Sequence, residues 1–162
     1  MVIKVNKLRD LKPGIRQYLL LLILLSCSVL NNLYSQTTKT KPTRQSSVEA
    51  FSKGDFEKAY GEFRELLLVY PKDPLYKYYA GACLVKLNRN SEQAESVLTE
   101  ALKASSGVKA LPADVRFYLG RAQQMSGKFQ EAVVSYNLFI EEGGKKAAKE
   151  LNTQEYIQQC NE

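Results

Sequence analysis

The chain has 162 residues, of which 44% are hydrophobic and 25% are charged, with a formal net charge of +6 and a pI near 9.2. This length and apolar fraction predict one folded domain of ordinary size. Because the sequence contains no histidine, a histidine-dependent catalytic triad, a histidine-ligated metal site and a histidine pH switch are excluded. The basic pI would indicate a nucleic-acid partner only if the excess charge lay on the folded part.

Residues 1–35 have the layout of a secretory signal peptide. Residues 1–17 carry five Lys or Arg and one Asp, and an uninterrupted apolar run follows at positions 18–30. Since about 20 apolar residues are needed to cross a bilayer comfortably, this shorter run favours a signal peptide over an uncleaved membrane anchor. Residues 36–45, polar and rich in Thr and Lys, are then predicted to form a flexible leader.

Two processing sites are compatible with this segment. The small residue Ser35 follows the apolar run and favours cleavage after it. Alternatively, Leu-Leu-Ser-Cys at positions 24–27 resembles a bacterial lipobox, in which Cys27 would be acylated and would tether the mature protein to a membrane. Both routes export the folded part, so we expect it in the periplasm or at the outer-membrane side of a cell envelope.

Export also bears on the two remaining cysteines. Cys83 and Cys160 would face an oxidising compartment, in which a disulfide is permitted. The sequence does not give the distance between them, so a disulfide stays open. The favoured interpretation is a small core residue at position 83 and an unrelated thiol near the carboxyl end.

From Ser46 onward the sequence has helical periodicity, with no alternating stretch that would predict a strand. Helix starts are indicated by Asp73 before Pro74, and by Ser46 and Asn90, each with a Glu or Gln three residues later. Left-handed helix ends are predicted at three glycines that follow helical segments: Gly54, Gly127 and Gly143.

One pattern recurs along these helices. In the second helix of each predicted pair a small residue is followed four places later by a large one, and in the first helix an aromatic residue precedes a glycine. This pattern resembles the tetratricopeptide repeat, a helix-turn-helix unit of about 34 residues in which small residues let two helices approach closely. The residues that carry the resemblance are Ala59, Ala94 and Ala132, then Phe63, Leu98 and Tyr136, with Tyr79, Tyr118, Gly81 and Gly120 on first helices.

The resemblance implies an all-α fold, a right-handed stack of three helix hairpins in an α-solenoid. The hairpins would span about residues 46–71, 73–105 and 112–142, within a repeat region of 46–142. Because stacked repeats need a polar outer face at each end, residues 145–160 are predicted to form a carboxyl-terminal capping helix, with a break near Asn152-Thr153 as the alternative to one continuous helix.

By the same resemblance, first helices line a concave groove that binds a partner peptide or helix. Aromatic and Arg side chains are usual interface anchors, although helical spacing is equally compatible with Tyr78 and Phe117 in the core. The positions that hold Lys and Asn in the carboxylate-clamp subtype are different residues here, so that clamp is not supported. The implied groove residues are Leu75, Tyr78, Ala82, Val85, Lys86, Asp114, Phe117, Arg121, Gln124 and Met125.

No glycine-rich phosphate loop, HExxH, CxxC or GxSxG motif occurs in the sequence. We therefore expect a non-catalytic, exported interaction scaffold with a protein partner, no cofactor and no metal; the oligomeric state is left open. An alternative is a structural component of the bacterial cell envelope. Three segments, residues 77–81 (KYYAG), 117–121 (FYLGR) and 157–160 (IQQC), also resemble the amino-terminal repeat region of multi-domain Gram-negative envelope proteins, of which the chain would be a short or truncated relative.

The excess charge lies outside the predicted repeats. Residues 1–35 carry a net charge of +4 and residues 36–48 a further +3, which leaves residues 49–162 at −1. The basic pI therefore belongs to the amino-terminal segments, and no nucleic-acid partner is expected.

Overall fold

The protein is described here by a computed structural model, which covers residues 14, 41–105 and 110–162. The helices of this part belong to one unit, Pro42–Glu162. Apart from residue 14, the predicted signal peptide, with Cys27 and Ser35, lies outside the described residues, as does the first half of the predicted leader. The helices are α1 (Arg44–Ser52), α2 (Phe56–Val69), α3 (Pro74–Lys86), α4 (Ser91–Ala104), α5 (Val115–Met125), α6 (Phe129–Glu150) and α7 (Thr153–Asn161).

No strand occurs in residues 41–105 and 110–162, which confirms the predicted all-α class for that part. Consecutive helices pack as three hairpins, α1 with α2, α3 with α4, and α5 with α6, and α7 packs on α6. The first helices of successive hairpins also contact each other, α1 with α3 and α3 with α5. The hairpins are therefore stacked in chain order.

Small residues face large ones where the two helices of a hairpin meet. Gly81 lies against Leu98, and a Cβ atom at Gly81 would lie 2.5 Å from the Leu98 Cγ atom. Gly120 lies against Tyr136 in the next hairpin, where a Cβ atom would lie 2.7 Å from two ring carbons. Leu98 and Tyr136 are fully buried. Close approach of the two helices thus needs glycine at both positions, because any side chain would displace a core residue.

The helix starts agree only in part with the sequence. The Asp73 carboxylate accepts hydrogen bonds from the N–H groups of Leu75 and Tyr76, as predicted for the start of α3. The first helix begins two residues before Ser46, which is the third helical residue and forms a capping box with Thr43. Asn90 makes no side-chain cap, because its left-handed backbone (φ 50°) departs from the extended geometry that aims a capping side chain at the first turn.

The glycines with left-handed backbones match the prediction at two positions and differ from it by one residue at the third. Gly54 and Gly127 have positive φ angles of 79° and 74°, as predicted. The third left-handed glycine is Gly144 (φ 82°), whereas Gly143 was predicted. The Cα atom of Gly143 packs instead against Phe139, where a Cβ atom would lie 2.7 Å from the ring.

The helix does not stop at this glycine. Helix α6 kinks at Gly144 and continues to Glu150, and α7 follows after a short turn. The segment predicted to cap the stack is therefore two helical pieces that meet near Asn152, where a break was the predicted alternative, and the buried side chains of Ala148 and Ile157 anchor them. None of the helices in the described part of the chain is both long and apolar enough to cross a membrane.

Ion pairs tie each hairpin turn to the hairpin before it. Arg89, in the turn between α3 and α4, donates two hydrogen bonds of 2.8 Å to the Glu57 carboxylate on α2. Lys128, in the turn between α5 and α6, pairs with Glu95 on α4 at 2.8 Å. Because solvent reaches at least one side chain of each pair, we expect the pairs to contribute little to overall stability. Each pair joins a hairpin turn to the second helix of the preceding hairpin, and so helps to fix the alignment of successive hairpins.

Candidate partner-binding groove

The first helices α1, α3 and α5 form one side of the stack, because they contact one another while each second helix covers their opposite face. This is the side that the sequence predicts as the groove. The predicted groove residues on α3 and α5 fall into two groups there: side chains buried in the core, and side chains that line a surface pocket.

Tyr78 and Ala82 are core residues, which corrects the expectation that they face a partner. Tyr78 is only 3% exposed and Ala82 is fully buried. The Tyr78 hydroxyl donates a 2.8 Å hydrogen bond to the Asp114 carboxylate, and its ring packs edge-on against Tyr118 at 6.1 Å. Successive first helices lie close enough to enclose these side chains between them. Leu75 and Met125 are half-buried and pack against the same core.

A pocket with a volume of about 510 Å³ opens on this side of the stack, and we call it the groove pocket. Four predicted residues line it: Val85, Lys86, Phe117 and Arg121. Val85 and Phe117 are largely buried and contribute its floor, whereas Lys86 is exposed and Arg121 half-exposed. The remaining lining comes from Asn88, Tyr118, Glu150, Leu151, Asn152 and Tyr156.

Arg121 is held in place by Tyr156 and Gln124. Its guanidinium lies over the Tyr156 ring, 4.1 Å from the ring centroid, and donates a 2.8 Å hydrogen bond to the Gln124 side-chain oxygen. The same oxygen accepts a hydrogen bond from the Tyr136 hydroxyl, and the Gln124 amide donates to Gln159 on α7. Gln124 therefore joins α5, α6 and α7, and is a packing residue more than a free groove residue.

Helix α7 takes the place of a further first helix. Tyr78 on α3 packs edge-on against Tyr118 on α5, and Phe117 on α5 packs edge-on against Tyr156 on α7 at 5.8 Å. A cation covers the second ring of each pair: Lys86 lies 5.7 Å from the centroid of Tyr118, and Arg121 covers Tyr156. The carboxyl-terminal helix thus repeats the contacts of α5 and bounds the groove pocket on that side.

Sequence reasoning missed most of the lining residues on the far side of the pocket. Tyr156 could have been found by its position, because it follows Tyr118 at nearly the same interval at which Tyr118 follows Tyr79. Asn88 and Asn152 both adopt left-handed backbones in turns. No sequence signal indicates that the turn between α6 and α7 would approach the end of α3.

Burial controls the ionisation of the groups beneath the pocket. It raises the pKa of the Tyr78 hydroxyl, and the neighbouring Asp114 charge raises it further, so Tyr78 stays a hydrogen-bond donor at neutral pH. Burial also raises the pKa of the Asp114 carboxyl, and the hydrogen bond from Tyr78 opposes this shift. Neither side chain lines the pocket. Both lie beneath it, where they support the residues of its floor.

The residues that the structure describes contain no group of three or more Cys, Asp or Glu side chains placed to hold a metal ion. Cys83 and Cys160 are both free thiols. Cys83 is fully buried, and burial raises its pKa to about 12. No side chain lining the groove pocket supplies an activated nucleophile, and its distinctive chemistry is two cations beside aromatic rings.

A comparison with protein-family models matches residues 114–142 to the tetratricopeptide repeat. The matched segment contains α5, most of α6 up to the kink, and the pocket residues Phe117 and Arg121. A search of curated proteins found no match to the chain. Tetratricopeptide repeats indicate a role in protein–protein interaction, and the two preceding hairpins repeat the packing of the matched one. Residues 114–142 therefore form a tetratricopeptide repeat.

Proposed function

We propose that the protein is a non-catalytic scaffold that binds a segment of a partner protein along α3 and α5, with the groove pocket as the centre of contact. The observation that carries this proposal is the groove pocket itself, in which exposed Lys86 and half-exposed Arg121 stand over an aromatic floor. Aromatic and Arg side chains supply much of the binding energy in protein interfaces. Because packed helices form this surface, binding requires little reordering of the receptor backbone, which lowers the entropy cost of binding.

Photo-crosslinking tests the proposal directly. A photoreactive amino acid placed at Glu150, which is exposed and lines the pocket, should crosslink a discrete partner in cells of the native host. The same group at Glu65, exposed on the second helix α2, is the matched control and should not. Equal crosslinking from both positions, or none from position 150, would remove the pocket from the partner interface.

We also propose that the scaffold is exported to the cell envelope, on the basis of the basic segment 1–17 and the apolar run 18–30. Intact mass of the protein recovered from its host separates the processing routes. Loss of residues 1–35 indicates cleavage after Ser35, and an acylated fragment beginning at Cys27 indicates a lipid tether. A full-length mass with retained cytoplasmic location would contradict export.

A further inference from the structure

We propose that the groove pocket selects an acidic side chain of the bound partner segment. This inference rests on the proposed function and names the chemistry of the partner. Lys86 and Arg121 are the cationic contacts that we assign to the acidic group. The rings of Tyr118 and Tyr156, on which these cations lie, form the apolar flank for a neighbouring side chain of the partner.

Neither cation forms an ion pair with a carboxylate in the part of the chain that the structure describes, although Lys86 lies near enough to Asp114 to lower the pKa of its carboxyl. In the ranges 41–105 and 110–162 neither Lys86 nor Arg121 forms an ion pair within 4.0 Å. Other cations on the same two helices do: Lys77 on α3 pairs with Glu100, and Arg116 on α5 pairs with Glu142. The two unpaired cations are those that face the groove pocket, so their hydrogen-bonding capacity is open to a ligand.

Arg121 is pre-organised for such a contact. Stacking on Tyr156, the hydrogen bond to Gln124 and the adjacent Tyr136 hydroxyl fix its guanidinium, and these contacts leave some of its five N–H donors free. A carboxylate can therefore be held by remaining donors without ordering a long side chain on binding. Lys86 is exposed and adjusts to the position of the same carboxylate.

Two acidic side chains lie close to the pocket. Glu150 lines it but is exposed, so its charge is screened by solvent. Asp114 does not line the pocket; its carboxylate accepts the hydrogen bond from Tyr78, and the charge of Lys86 is near enough to lower its pKa. The lining residues therefore carry two positive charges and one negative charge. The uncapped amino-terminal end of α7, next to Asn152, adds a partial positive charge.

A single acidic side chain fits this pocket better than a polyanion does. The folded residues 49–162 carry a net charge of −1, so a nucleic acid gains only a local attraction. A volume of about 510 Å³ accepts a few side chains. An aspartate or glutamate next to an aliphatic or aromatic residue would satisfy the cations and the ring surfaces together.

A displayed library of random dodecapeptides, selected on the full-length protein, tests this inference. We expect the recovered peptides to share an acidic residue beside an apolar one. Replacing that acid by its amide should weaken binding about tenfold or more, since hydrogen bonds to charged groups contribute about 1.5–3 kcal/mol. Lys86→Gln and Arg121→Gln should each weaken the binding of the acidic peptide by a similar factor. When either variant binds the amide peptide, the total loss of binding free energy should be less than the sum of the two separate losses.

Lys72→Gln is the matched control, because Lys72 is exposed and lies outside the pocket. It should leave the affinity unchanged. Arg121→Gln also removes contacts to α7, whereas Lys86→Gln removes an exposed cation whose contacts are with the rings of Tyr118 and Phe56. The Lys86 variant therefore decides the outcome if the Arg121 variant melts earlier. Fluorescence anisotropy gives the affinities, and circular dichroism checks the fold.

The outcomes separate the inference from the proposed function. If the selected peptides crosslink to position 150 but contain no acidic residue, and if both variants bind them as tightly as the parent protein does, the acidic selection alone is overturned. Failure of every selected peptide to crosslink from position 150 would overturn both. Binding of a single-stranded RNA 20-mer that is lost in both variants would assign the cations to phosphate and overturn the peptide assignment.

Discussion

Gly120 on α5 lies directly against the ring of Tyr136 on α6, so that a Cβ atom on Gly120 would stand 2.7 Å from two ring carbons. Tyr136 is fully buried and its hydroxyl is bonded to Gln124, so the ring has no free direction in which to move. We expect Gly120→Ala to lower the free energy of unfolding by about 1–3 kcal/mol, as overpacking of a core does. Chemical denaturation measures it.

Gly61→Ala is the matched control for this substitution. Gly61 is also helical, but it is exposed on α2 and a Cβ atom there meets nothing within 4 Å. Because alanine favours helix over glycine, this variant should be more stable by up to about 1 kcal/mol. If both variants changed stability in the same direction, close approach at Gly120 would not be the reason for its glycine.

Asp114→Asn should change how stability depends on pH. Burial raises the pKa of Asp114 above its ordinary value of 3.8, so the folded protein holds this proton more tightly than the unfolded chain. The stability from that proton is fully present below the ordinary pKa and is lost as pH rises through the raised pKa. The amide removes the buried charge and still accepts from Tyr78.

The variant should therefore be more stable than the parent near neutral pH, with the difference disappearing below about pH 4. Denaturation of both proteins across this range measures the difference. Tyr78→Phe provides a second arm: it removes the hydrogen bond that lowers the Asp114 pKa, so its pH dependence should move to higher pH. A difference between Asp114→Asn and the parent that is constant with pH would contradict this account.

The sequence predicted the all-α class and the packing of small against large residues, because both depend on spacing within one hairpin. Two such contacts within one hairpin are Gly81 against Leu98 and Gly120 against Tyr136. Helix periodicity places such residues on one face regardless of what lies beyond the hairpin. The matched repeat at residues 114–142 carries the same pattern.

The candidate site was less predictable, because it depends on contacts between hairpins. Whether Tyr78 faces a partner or the core is decided by Asp114 and Tyr118 on the next first helix, which enclose it. Likewise, Gln124 is engaged by Gln159 on the terminal helix, far along the chain. The distance between neighbouring first helices sets these contacts, and residue spacing within a hairpin does not encode it.

The two described cysteines should differ in reactivity. Cys83 is fully buried, with a pKa raised to about 12, so it has little thiolate at neutral pH and no access to reagent. Cys160 is half-buried on the terminal helix, and burial raises its pKa as well. In native protein, we expect iodoacetamide to modify Cys160 well before Cys83.

Peptide mapping by mass spectrometry reports each site separately, including Cys27 where the chain retains it. Unfolding in guanidinium chloride is the control, since it should bring the labelling rates of Cys83 and Cys160 together. Protection of both thiols that is released only by a reductant would instead indicate a disulfide between them, in conflict with their free state in the structure.

Tyr156→Leu should release α7 from the rest of the stack. The ring packs against Phe117 and Tyr136 and carries the Arg121 guanidinium, so the substitution removes two aromatic contacts and one cation–π contact. The exposed ring of Tyr70 provides the control, Tyr70→Leu. Hydrogen exchange should rise about tenfold or more across Thr153–Asn161 in the first variant while α3 and α4 stay protected, because local opening needs only the contacts of that helix. Uniform acceleration through the whole stack would show that α7 unfolds only together with the three hairpins.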